Sequence, residues 1–306
     1  MIYIRFFVLF LTFILSSTEI FGSGHGGGSS GGQKKHANGA HVEKKMQNEE
    51  EKTSDKTENI PQKLQFKRTI NIHGSSTVSA VLSKYIDDIE FNTNIRINLI
   101  TSNSKDGLVA LKNGDADIAA LSTSLDSFSR QIPGLEVKSL KSFCVGDTNI
   151  VFIVNKKNNV KSARVDDIKA VLAGVVTNWQ ELRSSLNEEI LVVTEYPGGG
   201  VRTFLESDIM YQPLTIDLKQ MINSSQVIEV VGKVPNALGI SALALLEDEE
   251  VDVIRTERTI FMPLYLVSKA KTDDVSLLVD AIRKYNIGGN VKKYIDQERM
   301  QENPKE

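Results

Sequence analysis

From residue 68 onward, short strand-like runs alternate with helix-like runs, and that alternation confines the chain to an α/β fold. Arg68–His73 reads as a strand, and Val78–Glu90 as a helix with Val78, Val81, Leu82, Tyr85 and Ile89 on one face. Ile95–Thr101 alternates as a strand, and Lys105–Asn113 is a helix that Gly114 stops. Asp117–Leu121 is a short buried strand. Asn149–Asn155 is a continuous apolar run, as in a sheet covered on both faces. Val165–Ala173 (ended by Gly174) and Val201–Ile209 read as helices, and Ile190–Tyr196 as the strand between them. Gly239–Leu246, Ile260–Val267 and the amphipathic helix Val275–Tyr285 complete the set. Two turns stand out, Gly74-Ser75-Ser76-Thr77-Val78 and Pro197-Gly198-Gly199-Gly200-Val201-Arg202. Each follows a strand and opens a helix, which places unpaired N–H groups and hydroxyls where an anion is favoured. For either turn alone, an ordinary helix cap is the better reading.

The segment before residue 68 has different chemistry. Arg5 followed by the apolar run Phe6–Leu15, with small residues at Ser16, Ser17, Gly22 and Ser23, predicts a secretory signal over residues 1–22. Residues 23–64 are first Gly- and Ser-rich, then mixed charge with few apolar residues, and read as a disordered linker. His25, His36 and His41 lie in it at spacings that match no defined metal site. The single cysteine, Cys144, excludes an intrachain disulfide, and its apolar neighbours make it a core residue rather than a nucleophile. A net charge of −3 without a basic stripe argues against nucleic-acid binding. No Ser/His/Asp arrangement, zinc spacing or phosphate-binding P-loop is evident, so neither a catalytic residue nor a cofactor is assigned.

Seven segments, in consistent order over about residues 68 to 270, resemble the phosphate-type substrate-binding proteins of ABC importers. They are Gly74–Val78, Ser102–Leu111, Lys112–Ala119, Asn149–Asn155, Val171–Gly174 with Thr177-Asn178-Trp179, Asn236–Ile240 and Met262–Leu266. The resemblance implies a type II periplasmic-binding fold, α/β, with mixed, mostly parallel sheets in two lobes joined by a hinge. It assigns residues 65–148 plus 257–300 to lobe I and residues 149–256 to lobe II. It also implies a small oxyanion, phosphate first, held between the lobes by Ser76, Thr77, Val78, Ser104 and Ser122 on one side and by Gly199, Gly200, Val201 and Arg202 on the other.

Two departures accompany it. Glu195 stands where the family has an arginine, and Gly199 and Val201 replace the Ser and Thr of a Ser-Gly-Thr tripeptide. A carboxylate facing a bound phosphate would repel it. Glu195 could instead turn outward or pair with Arg202, or it could recruit a different, neutral or cationic ligand, and Gly198–Gly200 form either an N–H nest or a flexible turn. The expected function is an exported, periplasmic, non-enzymatic solute-binding protein acting with an ABC permease, without a membrane span once the signal is cleaved. The alternative is a periplasmic structural module in an envelope assembly that keeps the fold without the ligand.

Overall fold

The structure is a computed structural model that describes residues 65–246 and 251–302. The expected signal segment (1–22) and linker (23–64) lie outside the described residues. Strand β1 (Arg68–Ser75) alternates as its sequence predicts, with Ile70 and Ile72 buried. It runs parallel to β2 (Ile95–Ser102) on one side and to β3 (Ile118–Leu121) on the other. Gly74 makes the β1–β3 approach possible. Its φ is +142°, and a Cβ there would collide with the Ala120 carbonyl.

The helix expected over Val78–Glu90 is two helices, α1 (Ser76–Ser83) and α2 (Ile86–Thr93). The break falls at Lys84–Tyr85, where the Tyr85 ring stacks on Tyr285 at 4.3 Å between centroids. Nothing local in the sequence signals it, since the partner lies 200 residues away. Helix α3 (Ser104–Asn113) is capped by Asn103, whose side chain accepts from Asp106 N–H at 2.9 Å, and ends at Gly114 in the left-handed region as expected.

The expected strand Asn149–Asn155 is only the second half of β4 (Lys141–Asn155), a 15-residue strand. Beyond it come α4 (Val165–Leu172), β5 (Leu191–Glu195), and α5 (Gly200–Phe204) continued by a π-helical turn over Leu205–Met210. They are followed by β6 (Lys219–Met221), α6 (Ser224–Lys233), β7 (Ala237–Ala242), β8 (Val251–Ile254) and β9 (Ile260–Ser268). Helices α7 (Asp273–Arg283) and α8 (Val291–Glu302) close the chain. No helix among the described residues is long and apolar enough to cross a membrane.

The strands join in one mixed sheet ordered β2-β1-β3-β9-β4-β7-β5-β6, with β8 added to β4. Pairing is parallel at both ends, among β1–β3 and among β5–β7. It is antiparallel through the middle, where the long strands β4 and β9 pass between the two ends. Trp179 is fully buried in the main core and donates Nε1–H to the Asn236 carbonyl at 2.8 Å. That one contact ties together two of the sequence segments singled out above.

Candidate functional site

Parallel strands followed by helices put the carboxyl ends of β1, β3 and β5 in line with the helix starts, where open α/β sheets carry their ligands. The register Gly74↔Ala120 brings the start of α1 beside the end of β3, where Ser122 follows Leu121. Ser76, Thr77, Val78, Ser104 and Ser122 are all buried there. Ser122 N–H donates to Ser104 Oγ at 3.2 Å, which joins two of the expected site residues directly. Val78 N–H is directed to the capping Ser75 Oγ at 3.3 Å, so this expected donor already has a partner within the chain. Among the described residues, no hydrogen bond engages the Ser76 or Thr77 hydroxyl.

The other end of the sheet closes onto this group. Lys105 N–H donates to the Gly198 carbonyl at 3.1 Å. A Cβ at Gly200 would fall within 3.0 Å of both Ser122 Oγ and Ser104 Oγ. Backbone and hydroxyls from the two ends therefore touch, and only glycine fits at that point. Helix α1 also packs against α6, so the contact extends past the serines.

Glu195 neither turns outward nor pairs with the Arg202 guanidinium. Its side chain is 3% exposed, and its carboxylate turns in beneath the glycine turn. Oε2 accepts from Val201 N–H at 2.9 Å and from Arg202 N–H at 3.3 Å, while Oε1 accepts from Ser224 Oγ at 2.7 Å. Burial pushes this carboxyl above the ordinary glutamate range, against the downward pull of the Ser224 hydroxyl, the two α5 amides and the Ser224 amide. The Arg202 guanidinium goes elsewhere. Its Nε pairs with Glu206 at 2.9 Å, one helical turn on, and NH1 donates to the Glu195 main-chain carbonyl at 3.2 Å. Gly199 is matched to this arrangement, since a Cβ there would overlap the Glu195 side chain.

Of the nine expected site residues, Ser104, Ser122 and Gly200 thus meet directly, and Ser76 and Thr77 lie at the neighbouring helix start. The N–H groups of Val201 and Arg202 serve Glu195. Sequence reasoning missed Ser224 and Glu206. Asn223-Ser224-Ser225 ahead of an apolar run is a helix-start signal, and Arg202 with Glu206 is an i,i+4 pair, so both were open to a closer reading.

The family described as "PBP superfamily domain" matches residues 47–288, most of the chain. Among curated proteins, the phosphate-binding protein PstS of Bacillus subtilis is 26% identical over 192 residues, 61% of each chain. Phosphate-binding protein PstS 2 of Streptococcus agalactiae is 29% identical over 112 residues, 36% of each chain. The chain thus spans less than two thirds of the curated relatives it matches. Among solved structures, a phosphate ABC transporter substrate-binding protein of Clostridium perfringens with bound phosphate superposes with a TM-score of 0.62 at 22% identity. That match covers 70% of this chain and 92% of the other. An ABC-type phosphate transport receptor of Vibrio cholerae gives 0.53 at 19% identity, over 75% and 98%. These neighbours share the two-lobed α/β fold.

Proposed function

This chain belongs to the PBP superfamily, a non-enzymatic binding family, and from that premise we propose that it is an exported solute-binding component of a phosphate-type ABC importer. Its solute is a small oxyanion, phosphate first. The two lobes are residues 65–148 with 257–300 and residues 149–256, and they close over it. The single observation that carries this reading is the convergence of Ser104, Ser122 and Gly200 across the closing face, beside the free hydroxyls of Ser76 and Thr77. Dehydrating an oxyanion demands several donors at once, and hydroxyls converging with helix-start N–H groups supply them. Export is supported by the charged and apolar pattern of residues 1–22, and an ABC permease as partner by the importer proteins that the chain resembles. No observation favours the alternative of a structural module.

Titration calorimetry and thermal melts with phosphate, sulfate and molybdate test the proposal. A saturating oxyanion at a hundred times its Kd stabilises the folded state by about 2.7 kcal/mol, a clear rise in Tm. An absence of both heat and Tm shift with every oxyanion would refute it.

A further inference from the structure

We infer that Glu195 is the affinity-setting residue of this site, a built-in competitor whose carboxylate holds the α5 amides that an incoming oxyanion needs. The inference rests on the oxyanion reading above and adds to it a device built from this chain's own residues.

Three observations carry it. First, the Glu195 carboxylate is held as a bound anion would be: both oxygens are engaged, two of the three donors are backbone amides at the start of α5, and bulk water is excluded. Second, no side-chain cation neutralises it. Among the described residues, Arg202 pairs with Glu206 and not with this carboxylate. Lys105, across the closing face, approaches Gly198 through its backbone and its aliphatic stem. When ionised, Glu195 has no side-chain counterion and opposes a second anion; when protonated, it still occupies the two α5 amides. Third, the glycine turn is shaped for it. Gly199 has no room for a side chain while Glu195 lies beneath, so the hydroxyl that the resemblance places at position 199 cannot coexist with this carboxylate.

Oxyanion binding and the Glu195 contact then exclude one another. A solute that takes the Val201 and Arg202 amides must first displace the carboxylate. One more polar group lies on the same face of the sheet. Strand β7 runs parallel beside β5 with Val193 opposite Gly239, and Ser241 lies two residues beyond that pair. Gly239 faces Val231 of α6, and Ser241 shares that face, the one from which Ser224 reaches Glu195. The Ser241 hydroxyl is fully buried and has no hydrogen-bond partner among the described residues.

The test is phosphate titration by calorimetry, at pH 7 and fixed ionic strength, of the full chain and of its Glu195→Gln variant. Glutamine keeps the volume and an accepting oxygen but removes the charge. The inference expects a gain in phosphate affinity of about tenfold or more, the scale of one neighbouring charge. Ser224→Ala, which loosens the carboxylate without changing any charge, should give a smaller gain of about two- to fivefold, and it remains informative if the first variant fails to fold. Equal or weaker binding by both variants overturns the inference and leaves the oxyanion reading intact. An absence of phosphate binding by the native chain and by both variants overturns the oxyanion reading, and the inference with it.

Discussion

Replacing Gly200 with alanine drives a methyl group into the contact between the two ends of the sheet. The new Cβ lies within 3.0 Å of Ser122 Oγ and Ser104 Oγ and 3.2 Å from Ser122 Cβ, whereas comfortable separations begin near ~3.5 Å. Neither hydroxyl yields easily, because both serines are buried and Ser104 Oγ holds the Ser122 amide. Overpacking of this kind costs about 1–3 kcal/mol. Two effects work the other way. Alanine is the better helix former by up to about 1 kcal/mol, and it restrains the unfolded chain by about 0.4–1 kcal/mol. Gly200 does not have a left-handed φ, so alanine gains both at no backbone cost. The gains act on folding, whereas the clash acts only on closure, because both serines belong to the opposite end of the sheet. The variant should therefore melt at or slightly above the native temperature while its closed population falls by about five- to 150-fold, the factor that 1–3 kcal/mol represents. X-ray scattering should show a larger radius of gyration, and phosphate affinity should fall by a similar factor. In Ser122→Ala the nearest hydroxyl is gone, and adding Gly200→Ala to that background should cost less than adding it to the native chain. Unchanged scattering together with unchanged affinity would refute the reading that these residues form the closing face.

Three further outcomes follow from the same structure. Because burial raises the native pKa of Glu195 above its unfolded value, the native state holds the extra proton and stability falls as pH rises. The loss should begin in the ordinary glutamate range, near ~4.3, and level off above the raised native pKa; subtracting a Glu195→Gln denaturation series from the native one isolates it, and a difference that rises with pH would show that the hydrogen bonds outweigh burial. The Cys144 thiol is buried and pushed up to about 12, mainly by burial, so a thiol-specific reagent at pH 8 should label it only as fast as the protein opens, and labelling at the rate of a free thiol would contradict that placement. Trp179→Ala empties a fully buried site and removes one of two donors to the Asn236 carbonyl, leaving Leu191 N–H, at a cost of about 3–5 kcal/mol in urea denaturation; a loss under about 1 kcal/mol would place this side chain outside the core.

What the sequence determined by itself was local. The strand and helix runs, the Asn103 cap, the Gly114 stop and the glycine-hydroxyl turn into α1 all follow from hydrophobic period, capping and glycine conformation, which act within a few residues. The order of seven resembling segments carried the two-lobed fold as well, and Ser104, Ser122 and Gly200 could be named before any contact between them was known. Tertiary structure decided whatever depended on partners distant in sequence. The break between α1 and α2 belongs to Tyr285, and the length and antiparallel pairing of β4 belong to β9. Glu195 is the clearest case. Read in its own segment, it is an acid near a basic residue, which suggests an ion pair or an outward turn. In the folded chain, Ser224, 29 residues away, and the α5 amides offer its carboxylate three donors in a space where glycine alone fits at 199 and 200. Only the assembled sheet brings those donors together, and only there does a sequence departure become an occupant of the site.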